Sequence, residues 1–128
     1  MPLFKRTPRI SFNPALSGQP IFLWSTIGSA VLLLLMVALP IWKLAPLAES
    51  RNVFSLHYNV FFGVDLVGPW FSVLYVPVLG CILLVANRTF TRVLFEREQL
   101  LSYFFAITTL MIEALLFVAV VLITLLNV

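Results

Sequence analysis

The sequence predicts an all-α membrane protein: three transmembrane helices, with a short extended extracytoplasmic segment between the first and second. Three observations carry this. Of 128 residues, 62% are hydrophobic and only 10% charged, whereas soluble domains carry about 25% charged residues. Three apolar runs reach the length of about 20 residues that crosses the hydrocarbon core. Between the first two runs lies LHYNVFFGVDLVGPW (Leu56–Trp70), where polar and apolar residues alternate instead of clustering. The predicted organisation is a basic cytoplasmic arm, residues 1–20, followed by a single three-helix transmembrane domain, residues 21–128, with spans at about 21–42, 67–87 and 100–126.

The arm holds Lys5, Arg6 and Arg9 among four prolines and one glycine, a composition that breaks any helical period. Its charge suits a topology signal or contact with anionic lipid headgroups. The first span exceeds the h-region of a cleavable signal peptide, and no clean small-x-small cleavage site follows it. Trp24 and Trp42 lie near its two ends, where indoles favour the headgroup layer. Ser25, Gly28 and Ser29 form a small-residue patch suited to close helix contact. Pro40 and Pro46 are expected to bend or end the helix.

In an extended chain side chains alternate faces. His57, Asn59, Phe61, Gly63 and Asp65 then share one face of the middle segment, and Leu56, Tyr58, Val60, Phe62, Val64 and Leu66 share the other. This is the pattern of a half-buried strand or lid. The second span opens with Gly68 and Pro69, and Pro77 is expected to kink it. In the following loop, 87–99, Phe90, Val93 and Leu94 at helical spacing predict a short interfacial helix. Asn87-Arg88-Thr89 matches a glycosylation acceptor, but its place against the membrane on the predicted cytoplasmic side argues against modification. The third span is long enough to cross with tilt.

Lys and Arg beside the spans number three in the arm, three in the second loop and two, Lys43 and Arg51, in the first. Six against two places the N-terminus inside the cytoplasmic membrane and the Leu56–Trp70 stretch and C-terminus outside. Net charge +3 is explained by this flanking pattern, so no nucleic-acid partner is expected.

Glu113 stands out because a charge at mid-span costs at least about 2.5–3.5 kcal/mol on insertion scales. Ser102, Ala106, Thr109, Glu113, Val120 and Thr124 make a small, polar stripe at helical spacing, expected to pack on Ser25, Gly28 and Ser29 of the first span. Glu113 is either a proton or cation site or a residue that hydrogen-bonds helices or subunits together. His57, Asn59 and Asp65 form a second group. His57 and Asp65 are expected to tie the lid by hydrogen bonds, with Gly63 supplying a turn or bulge and Asn59 capping backbone groups. The candidate functional residues are therefore Glu113, His57, Asn59, Asp65 and Thr109. One histidine and one cysteine, Cys81, leave no metal-ligand set, haem pair, disulfide or nucleophile–base pair, and no glycine-rich phosphate loop is present. Neither a cofactor nor catalysis is expected.

The run His57-Tyr58-Asn59, with Gly63 and Asp65 following, resembles the outer-loop H-[FW]-N…G…D motif of bacterial Sdp-type immunity and signalling membrane proteins. Gly63 and Asp65 fall six and eight residues after His57. The wider stretch LHYNVFFGVDLVGPW resembles uncharacterised three-helix membrane proteins of reduced-genome, candidate-phyla bacteria, a resemblance that implies a fold and no activity. The function these readings favour is a non-catalytic interaction or scaffold subunit in contact with membrane lipids and either its own copies or another membrane protein. The alternative is an ion- or small-molecule-binding immunity, signalling or transport element using Glu113 and the His57/Asp65 loop.

Overall fold

The computed structural model describes residues 19–128, so the predicted basic arm, apart from its last two residues, lies outside the described residues. Three helices, α1 (Pro20–Lys43), α2 (Tyr75–Phe95) and α3 (Gln99–Asn127), are separated by a hairpin of β1 (Phe54–Asn59) and β2 (Gly63–Gly68) and by a short link at 96–98. Short 3-10 helices, Pro46–Glu49 and Trp70–Leu74, flank the hairpin. Each long segment is apolar and long enough to cross a membrane, which makes the chain a multi-pass membrane protein.

Local sequence explains most boundaries. Pro20 opens α1, where a missing N–H costs nothing. Pro40 lies inside the last turn of α1, and its carbonyl accepts the Leu44 N–H at 2.8 Å as the helix closes. Pro46 then opens the 3-10 helix.

The second helix departs from expectation in three ways. Val67 and Gly68 belong to β2, so the segment leaves the sheet through Pro69 before turning helical. Pro77 falls in the first turn of α2, just after the 3-10 helix Trp70–Leu74, rather than a third of the way along an uninterrupted helix. Finally, α2 continues to Phe95, absorbing the segment expected to form a separate interfacial helix. No Gly or Pro interrupts residues 87–95. The Thr89 and Thr91 hydroxyls bond back to the Val85 and Asn87 carbonyls, and Thr91 and Phe95 are buried.

At about 1.5 Å per residue, the 29 residues of α3 span roughly 44 Å, longer than a hydrocarbon core of about 30 Å. Its C-terminal turn therefore reaches the hairpin. α3 packs along both α1 and α2, which touch each other much less. Its buried residues are Ser102, Ala106, Thr109, Glu113, Val120, Thr124 and Asn127, so the small, polar stripe is the seam of the bundle. Gly28 of α1 meets Leu110 in this seam: a Cβ on the glycine would stand 2.9 Å from a Leu110 methyl.

Two apolar clusters close the ends. At one end Phe22 stacks on Tyr103, with centroids 5.2 Å apart, and meets Phe95 edge-on at 5.6 Å. At the other, Met36, Leu44, Phe54, Val73 and Val120 form a buried group against which Leu56 and Trp70 pack. Phe54 thereby roots the hairpin in the core of the bundle.

Candidate functional site

The segment 54–68 is extended, as expected, and it pairs with itself. β1 and β2 are antiparallel, with Phe54 opposite Gly68, Ser55 opposite Val67, Tyr58 opposite Val64 and Asn59 opposite Gly63, and a local irregularity at His57. The alternation read as one continuous strand stops at Val60, because residues 60–62 reverse the chain. Gly63 follows them at φ +77° with nothing near its missing Cβ. That positive φ suits glycine, and a three-residue loop followed by such a residue is a common hairpin connection. Asn59 Oδ1 accepts the Phe61 N–H at 2.9 Å and holds the turn.

His57 Nδ1 and Asp65 Oδ1 lie 2.6 Å apart across the two strands. The pair is exposed, with side-chain exposures of 61% and 40%. His57 and Asp65 thus come together across the strands, Asn59 serves the turn instead, and Glu113 lies elsewhere, inside the helices.

Two features of the hairpin are invisible in its own sequence. The first is Asn127, at the end of α3. Its side-chain amide accepts the Ser55 N–H at 2.7 Å through Oδ1 and donates to the Ser55 carbonyl at 2.7 Å through Nδ2. The same Nδ2 donates to the Ile123 carbonyl, and Arg51 donates to the Asn127 carbonyl. One side chain therefore occupies the outer edge of β1 as a third strand would. The second feature is the opposite edge: among the described residues β2 has no backbone partner beyond β1.

Glu113 sits at the midpoint of α3 with 0% exposure. Neither carboxyl oxygen has a hydrogen-bond partner among the described residues, and Ser29 Oγ, equally buried, has none. The carboxyl lies over Gly80 of α2, where a Cβ would fall 2.8 Å from Oε2 and 2.9 Å from a Leu33 methyl. The stripe expected to pack on the first span also meets the second, at its acidic residue. The sequence signal for Gly80 was a lone glycine in an apolar helix, which does not identify the side chain that requires it.

Thr109, 4% exposed, donates to the Phe105 carbonyl at 2.7 Å and accepts from Asn87 Nδ2, which also reaches the Phe105 carbonyl at 3.2 Å. Asn87, the residue of the glycosylation-like triplet, thus bonds α2 to α3. Among the described residues, no three His, Cys, Asp or Glu side chains gather where they could hold a metal.

What this arrangement does chemically is display and hold. The hairpin presents hydrogen-bonding groups and an open strand edge on a stiff root, and the bundle encloses one carboxyl away from water. Compared with known proteins, the chain matches no family model, no curated protein and no solved structure.

Proposed function

We propose that this protein is a small, non-catalytic interaction or scaffold subunit of the plasma membrane, and that the hairpin is the surface it offers to its own copies or to another membrane protein. The orientation proposed from the basic residues puts the N-terminus in the cytoplasm and the hairpin and C-terminus outside. One observation carries the reading: the hairpin is fastened at its root by buried Phe54 and by Asn127, while its second strand edge is left open. An open edge is a ready template for pairing with another chain, and addition of a strand is a recurrent mode of recognition. His57 and Asp65 supply polar groups beside that edge for selectivity.

Site-specific photo-crosslinking in native membranes tests this. A crosslinker at Val67, exposed on β2, is expected to give a discrete protein adduct, and one at Phe104, exposed on α3, is not. Absence of protein adducts from every hairpin position would refute the reading.

The orphaned carboxyl of Glu113 supports a second reading, in which the protein is an ion- or small-molecule-binding immunity, signalling or transport element. An intramembrane ionisable residue is a functional site by default, and among the described residues no bond accounts for it. Under this reading Glu113→Gln abolishes activity while leaving the fold intact. If Glu113→Gln stabilises the protein with no loss of activity, the site is structural.

A further inference from the structure

The hairpin has a second surface, independent of the open edge. Opposed residues in an antiparallel pair share a face and alternate along each strand. Phe54, Leu56, Tyr58 and Val64 therefore form an apolar face, while Leu66 stands opposite His57 at the local irregularity. The root of this face is covered: Phe54 is buried among the helix ends, and Leu56 packs against the same cluster. Further out it is bare, with Tyr58 and Val64 exposed. The turn beyond carries Val60, Phe61 and Phe62, which are 84%, 89% and 83% exposed. The turn bond from Asn59 and the positive φ of Gly63 hold this tip open.

Three consecutive apolar side chains displayed this fully stand out on a surface meant for water. Lys and Arg are absent from 54–68, and Asp65, its one acidic residue, is engaged by His57. Six strand residues at about 3.3 Å each reach roughly 20 Å from the root, and the root lies against the ends of membrane-spanning helices. The face that the helix ends cover at Phe54 and Leu56 is left uncovered at Tyr58 and Val64. Beyond β2, Phe71 and Tyr75 are exposed in the segment entering α2, so apolar surface is displayed at this end of the bundle as well as on the hairpin. What a bare apolar face meets on leaving the edge of a membrane bundle is the bilayer.

We infer that the outer half of the hairpin is a lipid anchor: Val60, Phe61 and Phe62, with Tyr58 and Val64 behind them, enter the headgroup–acyl boundary of the leaflet around the bundle. The hairpin then lies over the membrane with His57 and Asp65 turned to water. This goes beyond the proposed scaffold role and does not depend on it.

Nitroxide accessibility tests the inference on the full chain. Cys81→Ser removes the native thiol, and Phe61→Cys alters a side chain that is 89% exposed. Ser50→Cys, on the exposed segment before β1, gives an aqueous reference. The labelled proteins are placed in vesicles of phosphatidylcholine and phosphatidylglycerol. The Phe61 label is expected to collide with oxygen several-fold more often than with a neutral nickel chelate, and the Ser50 label to show the reverse. A Phe61 label as open to nickel as the Ser50 label would overturn the inference by placing the tip in water. A label shielded from both reagents would overturn it by placing the tip against protein.

Discussion

Asn127 and Glu113 lie on the same buried stripe of α3 and treat their polar atoms in opposite ways. Asn127 satisfies both of its side-chain polar atoms, two of its three bonds going to the backbone of β1. Glu113, equally enclosed, has neither oxygen bonded within the described residues. Buried polar groups are generally paired, and leaving one unpaired costs more than a made bond gains. Asn127 is thus explained by folding: it joins the hairpin to the bundle. Glu113 is accommodated by folding, through Gly80, without being explained by it. A polar residue that stability does not require is where a requirement of function is to be sought.

The sharpest way to break this contrast is to remove the Asn127 amide. Asn127→Ala leaves the Ser55 N–H and carbonyl without their partner, and at about 1–3 kcal/mol for each group left unsatisfied the loss is expected to be about 2–6 kcal/mol. Amide hydrogen exchange is expected to rise first in β1. Unchanged protection there would mean that Asn127 does not hold the hairpin.

Gly80→Ala probes the opposite side of the contrast. The new methyl collides with the Glu113 carboxyl and with Leu33, so destabilisation of about 1–3 kcal/mol is expected from overpacking. Adding Glu113→Ala is expected to restore part of it, a coupling of at least about 0.5 kcal/mol in a double-mutant cycle by thermal unfolding in detergent. Strict additivity would show that the carboxyl does not rest on Gly80.

Gly63→Ala separates backbone strain from packing, since nothing lies near the missing Cβ. The positive φ alone is expected to cost about 1 kcal/mol. The smallest effect is expected of Asp65→Asn: an exposed pair of this kind contributes about 0–1 kcal/mol. A loss of partner crosslinking in that variant, with stability unchanged, would assign His57 and Asp65 to recognition.

The parts legible in the sequence were those set by local periodicity. Helical spacing from Ser102 to Thr124 identified the seam of α3, because a stripe of small and polar residues between bulky apolar ones has one place to go. Extended alternation put His57 and Asp65 on one face, where the two strands join them. The reversal at 60–62 was harder to see, since Val60-Phe61-Phe62 lacks the usual turn residues and only Gly63 marks it. Asn127 gives no sequence signal because its role depends on α3 being long enough to meet β1, a distance that no local pattern encodes. Gly80 was hidden for the same reason: the side chain that needs the space belongs to another helix.

The central claim is that contact with other proteins runs through the hairpin while Glu113 stays internal. Native mass spectrometry of the protein released from nanodiscs tests this most directly, comparing wild type, Asp65→Asn and Glu113→Gln. The account predicts a defined oligomer or a retained membrane-protein partner in wild type, kept in Glu113→Gln and weakened in Asp65→Asn. A monomer without a partner, or an assembly that Glu113→Gln dissolves and Asp65→Asn leaves intact, would contradict it.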